Sequence, residues 1–173
     1  MEHDDRLIVA LDFSTLDEAK KLVLELGASV SYYKVGMELY YAAGNDAIKF
    51  LKEQGKHVFL DLKLQDIPNT VAKSLSVLTA LGTDMLNVHA VGGAKMMAEA
   101  AKAVEETAAK MNRPAPKLIA VTVLTSMDEE QWADLSYQKA IADQVVSLAL
   151  LAKKSGLDGV VASPQEAEAI RKA

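Results

Sequence analysis

At 173 residues, half of them hydrophobic, the chain can bury a substantial core and is expected to form one domain over residues 1–173. A net charge of −5 with scattered Lys and Arg gives no basic footprint for nucleic acid, and the lack of cysteine excludes disulfides. The N-terminus, MEHDDRLIVALDF, is acidic where a secretory signal is basic, and its apolar run is too short to cross a bilayer, so a cytoplasmic protein without membrane association is expected.

In chain order, short apolar runs alternate with longer amphipathic stretches. The runs are RLIVAL (6–11), YYKVGM (32–37), HVFLDLK (57–63), MLNVHA (85–90), KLIAVTVL (117–124) and DGVVA (158–162). Each has strand length and is rich in Val, Ile or Leu. The first intervening helix, STLDEAKKLVLELG, has a start signal in Ser14 followed by Asp17 and a stop at Gly27. NDAIKFLKEQG stops at Gly55, IPNTVAKSLSVLTALG starts at Pro68, and AIADQVVSLALLAKKSG stops at Gly156.

Six strand-then-helix units imply an α/β fold with parallel strands and right-handed crossovers. The polar residues Asp12, Lys34, Asp61, Lys63, His89, Thr125 and Ser126 fall at or just past the C-terminal ends of several strands. A (β/α)8 TIM barrel collects its active site there, whereas an open doubly wound sheet gathers it at one switch point with a Gly-rich first turn. The first turn here, LDFSTLDE, has no glycine. The expectation is a TIM barrel with only its first six β/α units in this chain, C-terminally incomplete.

HVFLDLKLQDIPNT (57–70) puts Asp61, Lys63 and Asp66 into a run that should be buried. Strand alternation assigns Val58, Leu60, Leu62 and Leu64 to the helix-facing side, and His57, Phe59, Asp61 and Lys63 to the barrel interior. It likewise places Tyr32, Lys34 and Gly36 together. A lone Lys–Asp pair there would be read as structural. Two lysines and the aspartates 12, 61 and 66 on neighbouring strand ends point instead to a charged substrate. A lysine ammonium held beside carboxylates is suited to stabilise a developing carbanion and then protonate it.

DLKLQDIPNT resembles the Asp-x-Lys-x-x-Asp signature of the orotidine 5′-monophosphate decarboxylase family. IVALDF, YKVGMELYY, NVHAVGGAKMM, IAVTVLTS and SGLDGVVAS resemble the bacterial members in the same order. The resemblance implies decarboxylation of orotidine 5′-monophosphate to uridine 5′-monophosphate in pyrimidine synthesis, with no metal and no organic cofactor. It implies that Lys63 donates the proton to C6 and that Asp61 lies by the departing carboxylate. Lys34 and Asp12 would bind the ribose hydroxyls, with Lys34 joining the charge network. Asp66, Ile67 and Thr70 would serve the neighbouring subunit's site in a homodimer, and Thr125 and Ser126 would lie near the pyrimidine.

Several residues also have plainer readings. Asp12 is also a possible cap for the first helix, and Thr125 and Ser126 are possible loop residues bonding their own backbone. His89 is read as structural, Gly92 and Gly93 as a strand-to-helix turn, and Met96 and Met97 as core or interface filler. His3, His57 and His89 lack metal-ligand spacing. The family's phosphate grip follows the seventh and eighth strands, beyond the residues of this chain. The rival readings are a magnesium-dependent sugar-phosphate decarboxylase or aldolase of the same superfamily, whose acidic metal ligand is replaced here by Lys34, and a non-catalytic barrel fragment.

Overall fold

The computed structural model describes residues 4–173. Its strands are β1 (Ile8–Ala10), β2 (Tyr32–Gly36), β3 (His57–Leu64), β4 (Met85–His89), β5 (Lys117–Val121) and β6 (Gly159–Val161). They form one sheet whose spatial order is the chain order, with every neighbouring pair parallel. A doubly wound sheet reverses its order at a switch point. The uninterrupted order β1 to β6 is instead that of a (β/α) barrel, with six of its units described.

The helices are α1 (Leu16–Leu26), α2 (Met37–Ala43), α3 (Asn45–Glu53), α4 (Pro68–Ala80), α5 (Ala94–Lys110), α6 (Glu129–Asp134), α7 (Ile141–Lys154) and α8 (Ala167–Lys172). None is long and apolar enough to cross a membrane among the described residues. One side of the sheet packs against helices: Tyr33, Val35, Val58, Leu60, Leu86, Val88, Leu118 and Ala120 are buried with Leu39, Ile48, Leu51, Leu75, Met96 and Met97. Each such large aliphatic side chain contributes about 1.5–3 kcal/mol by leaving water. On the other side Ile8, Phe59 and Ile119 are only half-buried.

Three local expectations are corrected. The cap of α1 is Thr15, not Ser14: its hydroxyl donates to the Glu18 carboxylate at 2.6 Å and accepts the Glu18 N–H at 3.4 Å. Asp12 therefore does not cap that helix. The fifth strand ends at Val121 rather than Leu124, and Leu124–Met127 is a turn closed by the Met127 N–H on the Leu124 carbonyl at 2.9 Å. A further helix, α2, follows β2 directly, where the sequence signals a helix only over the stretch that forms α3. The stops at Gly55 and Gly156 hold, with φ of 68° and 86°, where a side chain would strain the backbone.

Two aspartates tie the N-terminal ends of strands together. Asp84, the residue before β4, reaches back to the start of β3. Its Oδ2 accepts the Val58 N–H at 2.7 Å and Lys52 Nζ at 2.8 Å, and its Oδ1 lies 3.1 Å from His57 Nδ1. Burial opposes its ionisation, but Lys52, the Val58 N–H and His57 outweigh burial and hold the carboxyl below its usual range. Asp158, the residue before β6, does the same for β5. Its Oδ2 accepts the Leu118 N–H at 2.9 Å, and its Oδ1 accepts Lys117 Nζ at 2.8 Å. Nearby, burial pushes the Tyr32 phenol up to about 12, with the Asp84 and Asp5 carboxylates adding to the effect.

Candidate active site

The opposite ends of the strands carry the predicted site, and β3 builds its centre by breaking register. Leu60 pairs with Leu86, but the next pair is Leu64 with Val88. The three residues Asp61, Leu62 and Lys63 thus stand against the single residue Asn87, forming a bulge. Lys63 takes φ of 51°, a left-handed conformation that costs a non-glycine residue about 1–3 kcal/mol and persists only where its surroundings impose it. Unbroken alternation through Lys63 is therefore corrected. The pleat holds as far as Leu60, while Leu62 and Leu64 are half-buried rather than sealed like Val58 and Leu60.

At this bulge Lys63 Nζ donates to Asp61 Oδ1 at 2.7 Å, with the Asp61 side chain 13% and the Lys63 side chain 27% exposed. The same oxygen accepts Asn87 Nδ2 at 2.6 Å. One strand over, Lys34 Nζ donates to Asp12 Oδ1 at 2.6 Å. This second pair lies over Gly36, the register partner of Asp61. A Cβ at Gly36 would stand 3.1 Å from Lys34 Nζ and 3.6 Å from Asp12 Oδ1, so any side chain there would press on the pair. The two ion pairs are neighbours on adjacent strands, with no hydrogen bond joining them among the described residues. His89, at the end of β4, is half-buried. Burial first, and then the Lys63 ammonium, lower its proton affinity, with Asp61 opposing.

Among the described residues, none of the remaining predicted ones hydrogen-bonds to this centre. Asp66 folds back so that its Oδ1 accepts the Ile67 N–H at 2.6 Å. Ile67 is the residue before α4 and is 67% exposed, and Thr70 is exposed in that helix's first turn. Thr125 and Ser126 are exposed at the turn after β5. Gly92 and Gly93 form the tight turn into α5, and Met96 and Met97 are core residues. His3 lies outside the described residues. Sequence reasoning passed over Asn87, although a polar residue in the middle of the apolar run MLNVHA was a signal.

The family model described as "Orotidine 5'-phosphate decarboxylase / HUMPS family" matches residues 5–173. A protein of Moorella thermoacetica named orotidine 5′-phosphate decarboxylase is 52% identical over all of this chain, which spans 69% of that relative. The crystal structure of orotidine 5′-phosphate decarboxylase from Lactobacillus acidophilus superposes with a TM-score of 0.87 at 40% identity, covering 96% of this chain and 75% of that one. The enzyme from Methanocaldococcus jannaschii, complexed with the inhibitor BMP, gives a TM-score of 0.73 at 29% identity over 96% of this chain and 72% of that one. With the bulged Asp61–Lys63 pair at the strand ends and this agreement along its length, the chain belongs to the orotidine 5′-phosphate decarboxylase / HUMPS family.

Proposed function

We propose that the protein is a carboxy-lyase that converts orotidine 5′-monophosphate to uridine 5′-monophosphate, the closing reaction of pyrimidine nucleotide synthesis. The observation that carries this reading is the largely buried Asp61–Lys63 pair, fixed at 2.7 Å by a strained bulge at the mouth of the sheet. The bond from C6 to the carboxylate breaks, carbon dioxide leaves, and the electron pair stays on C6. The Lys63 ammonium lies beside that charge and transfers its proton to C6, so no metal or organic cofactor enters the balance. Asp61 holds Lys63 in place and stands near the departing carboxylate. Lys34 and Asp12, already paired across β2 and the end of β1, bind the ribose hydroxyls. Thr125 and Ser126 border the pyrimidine.

Asp66, Ile67 and Thr70 act across a homodimer interface on the neighbouring subunit's site. Their exposure at the start of α4, apart from the Asp61–Lys63 pair, supports this reading. It is tested by mixing inactive Lys63→Ala and Asp66→Ala proteins. Mixed dimers are expected to regain part of the activity, and no recovery would place Asp66 outside a shared site.

The deciding assay is loss of orotidine monophosphate absorbance, run on this chain and on one extended to the full length of its relatives. Turnover without added metal is the expected result. A folded extended chain that leaves orotidine monophosphate untouched, or that acts on a sugar phosphate only with magnesium, would overturn the reading.

A further inference from the structure

Asn87 is 2% exposed, the most deeply buried polar side chain beside the Asp61–Lys63 pair, and the proposed reaction leaves it without a role. It is the single residue of β4 that faces the three bulged residues of β3. Where the ladder is interrupted, the Lys63 N–H donates to Asn87 Oδ1 at 2.8 Å. The other end of the same amide, Nδ2, donates to Asp61 Oδ1 at 2.6 Å, the oxygen that also accepts Lys63 Nζ at 2.7 Å. One planar group thus grips both the backbone of Lys63 and the carboxylate that holds its ammonium. The task needs a donor and an acceptor on one short side chain. Asparagine supplies both, an ionised aspartate only acceptors, and an aliphatic residue neither.

We infer that Asn87 is a positioning residue: it holds the β3 bulge in place and fixes Lys63 and Asp61 relative to each other. A lysine at φ 51° keeps that conformation only while something imposes it. Without the Asn87 amide, the strand is released toward extended geometry, and a change of strand register carries a side chain from one face to the other. Lys63 would then leave the mouth. The kinetic consequence rests on the decarboxylase reading, but the geometric one does not.

The test pairs kinetics with a readout that needs no turnover. In the form that consumes orotidine monophosphate, Asn87→Ala is expected to lower kcat about a hundredfold and to change KM less than about threefold. In the same variant, the side-chain NMR signal of Lys63, assigned with Lys63→Arg, is expected to move to the position of exposed lysines while the other lysine signals stay. A folded variant with unmoved Lys63 signal and unchanged kcat would overturn the inference. If Asn87→Ala does not fold, amide hydrogen exchange in the unaltered protein decides. Protection of the Lys63 N–H comparable to that of Leu60 and Leu64 supports the grip, and exchange at a loop rate refutes it. Should the unaltered protein show no turnover while the Lys63 signal still moves in Asn87→Ala, the decarboxylase reading fails and the positioning role stands.

Discussion

The two ends of the sheet treat a carboxylate–lysine pair in opposite ways. At the N-terminal ends, both oxygens of Asp84 are engaged, by the Val58 N–H and Lys52 on one side and His57 on the other. Asp158 is likewise engaged at both oxygens. At the C-terminal ends, Asp61 gathers Lys63 and Asn87 onto one oxygen, and among the described residues Oδ2 accepts nothing. Lys63 Nζ has one partner there, leaving two of its three donor positions for a ligand. The backbone follows the same division. The strand starts pair in register, whereas β3 breaks register and takes a left-handed residue to present its lysine. A saturated pair is a fastener, and a half-used pair under strain is a site.

The comparison is broken most severely by Lys63→Ala. Turnover is expected to fall by at least about a thousandfold, the scale of losing a positioned acid, while the unfolding midpoint moves by only a few degrees. Near-normal turnover would make Lys63 another fastener. The converse change is Asp84→Ala, which leaves the Val58 N–H and Lys52 without their acceptor. A loss of about 2 kcal/mol in urea unfolding is expected, with kcat of the folded protein unchanged.

The pH dependence sharpens the contrast. The carboxyl of Asp84 has a folded pKa below its unfolded one. Its contribution is therefore fully present above the unfolded value, about 3.9, and is lost as pH falls through the folded value. The stability gap between the unaltered protein and Asp84→Asn should narrow as a titration descends below about pH 4. The smallest effect is expected from Lys117→Ala. This lysine is exposed beside Asp158, so screening leaves the unfolding midpoint unmoved within error.

Much of this was legible from the residues. The six apolar runs became the six strands, and polar residues at their C-terminal ends marked the mouth. The bulge was not legible, because strand alternation is a local rule and no glycine flags the break at Lys63. The cause lies on another strand, at Asn87, and only the pairing of β3 with β4 brings it there. The α1 cap lies one residue past the start signal at Ser14 because Ser14 and Thr15 are both capping types, and only the geometry of the Glu18 N–H separates them. Alternation puts Lys34 on the face of Gly36, and family resemblance joins it to Asp12, but their direct pairing over Gly36 rests on the absence of a side chain at position 36. Thr70, Thr125 and Ser126 carry no local signal of the roles proposed for them beyond the resemblance.

The aspartate links at the strand starts have a consequence for how the chain can be divided. One joins β3 to the residue before β4, and the other joins β5 to the residue before β6. A cut in the segment 111–116, between α5 and β5, severs neither. Two separately made pieces, ending and beginning there, would each keep a strand pair latched at its base, with the β4–β5 ladder left as the seam along which they reassemble.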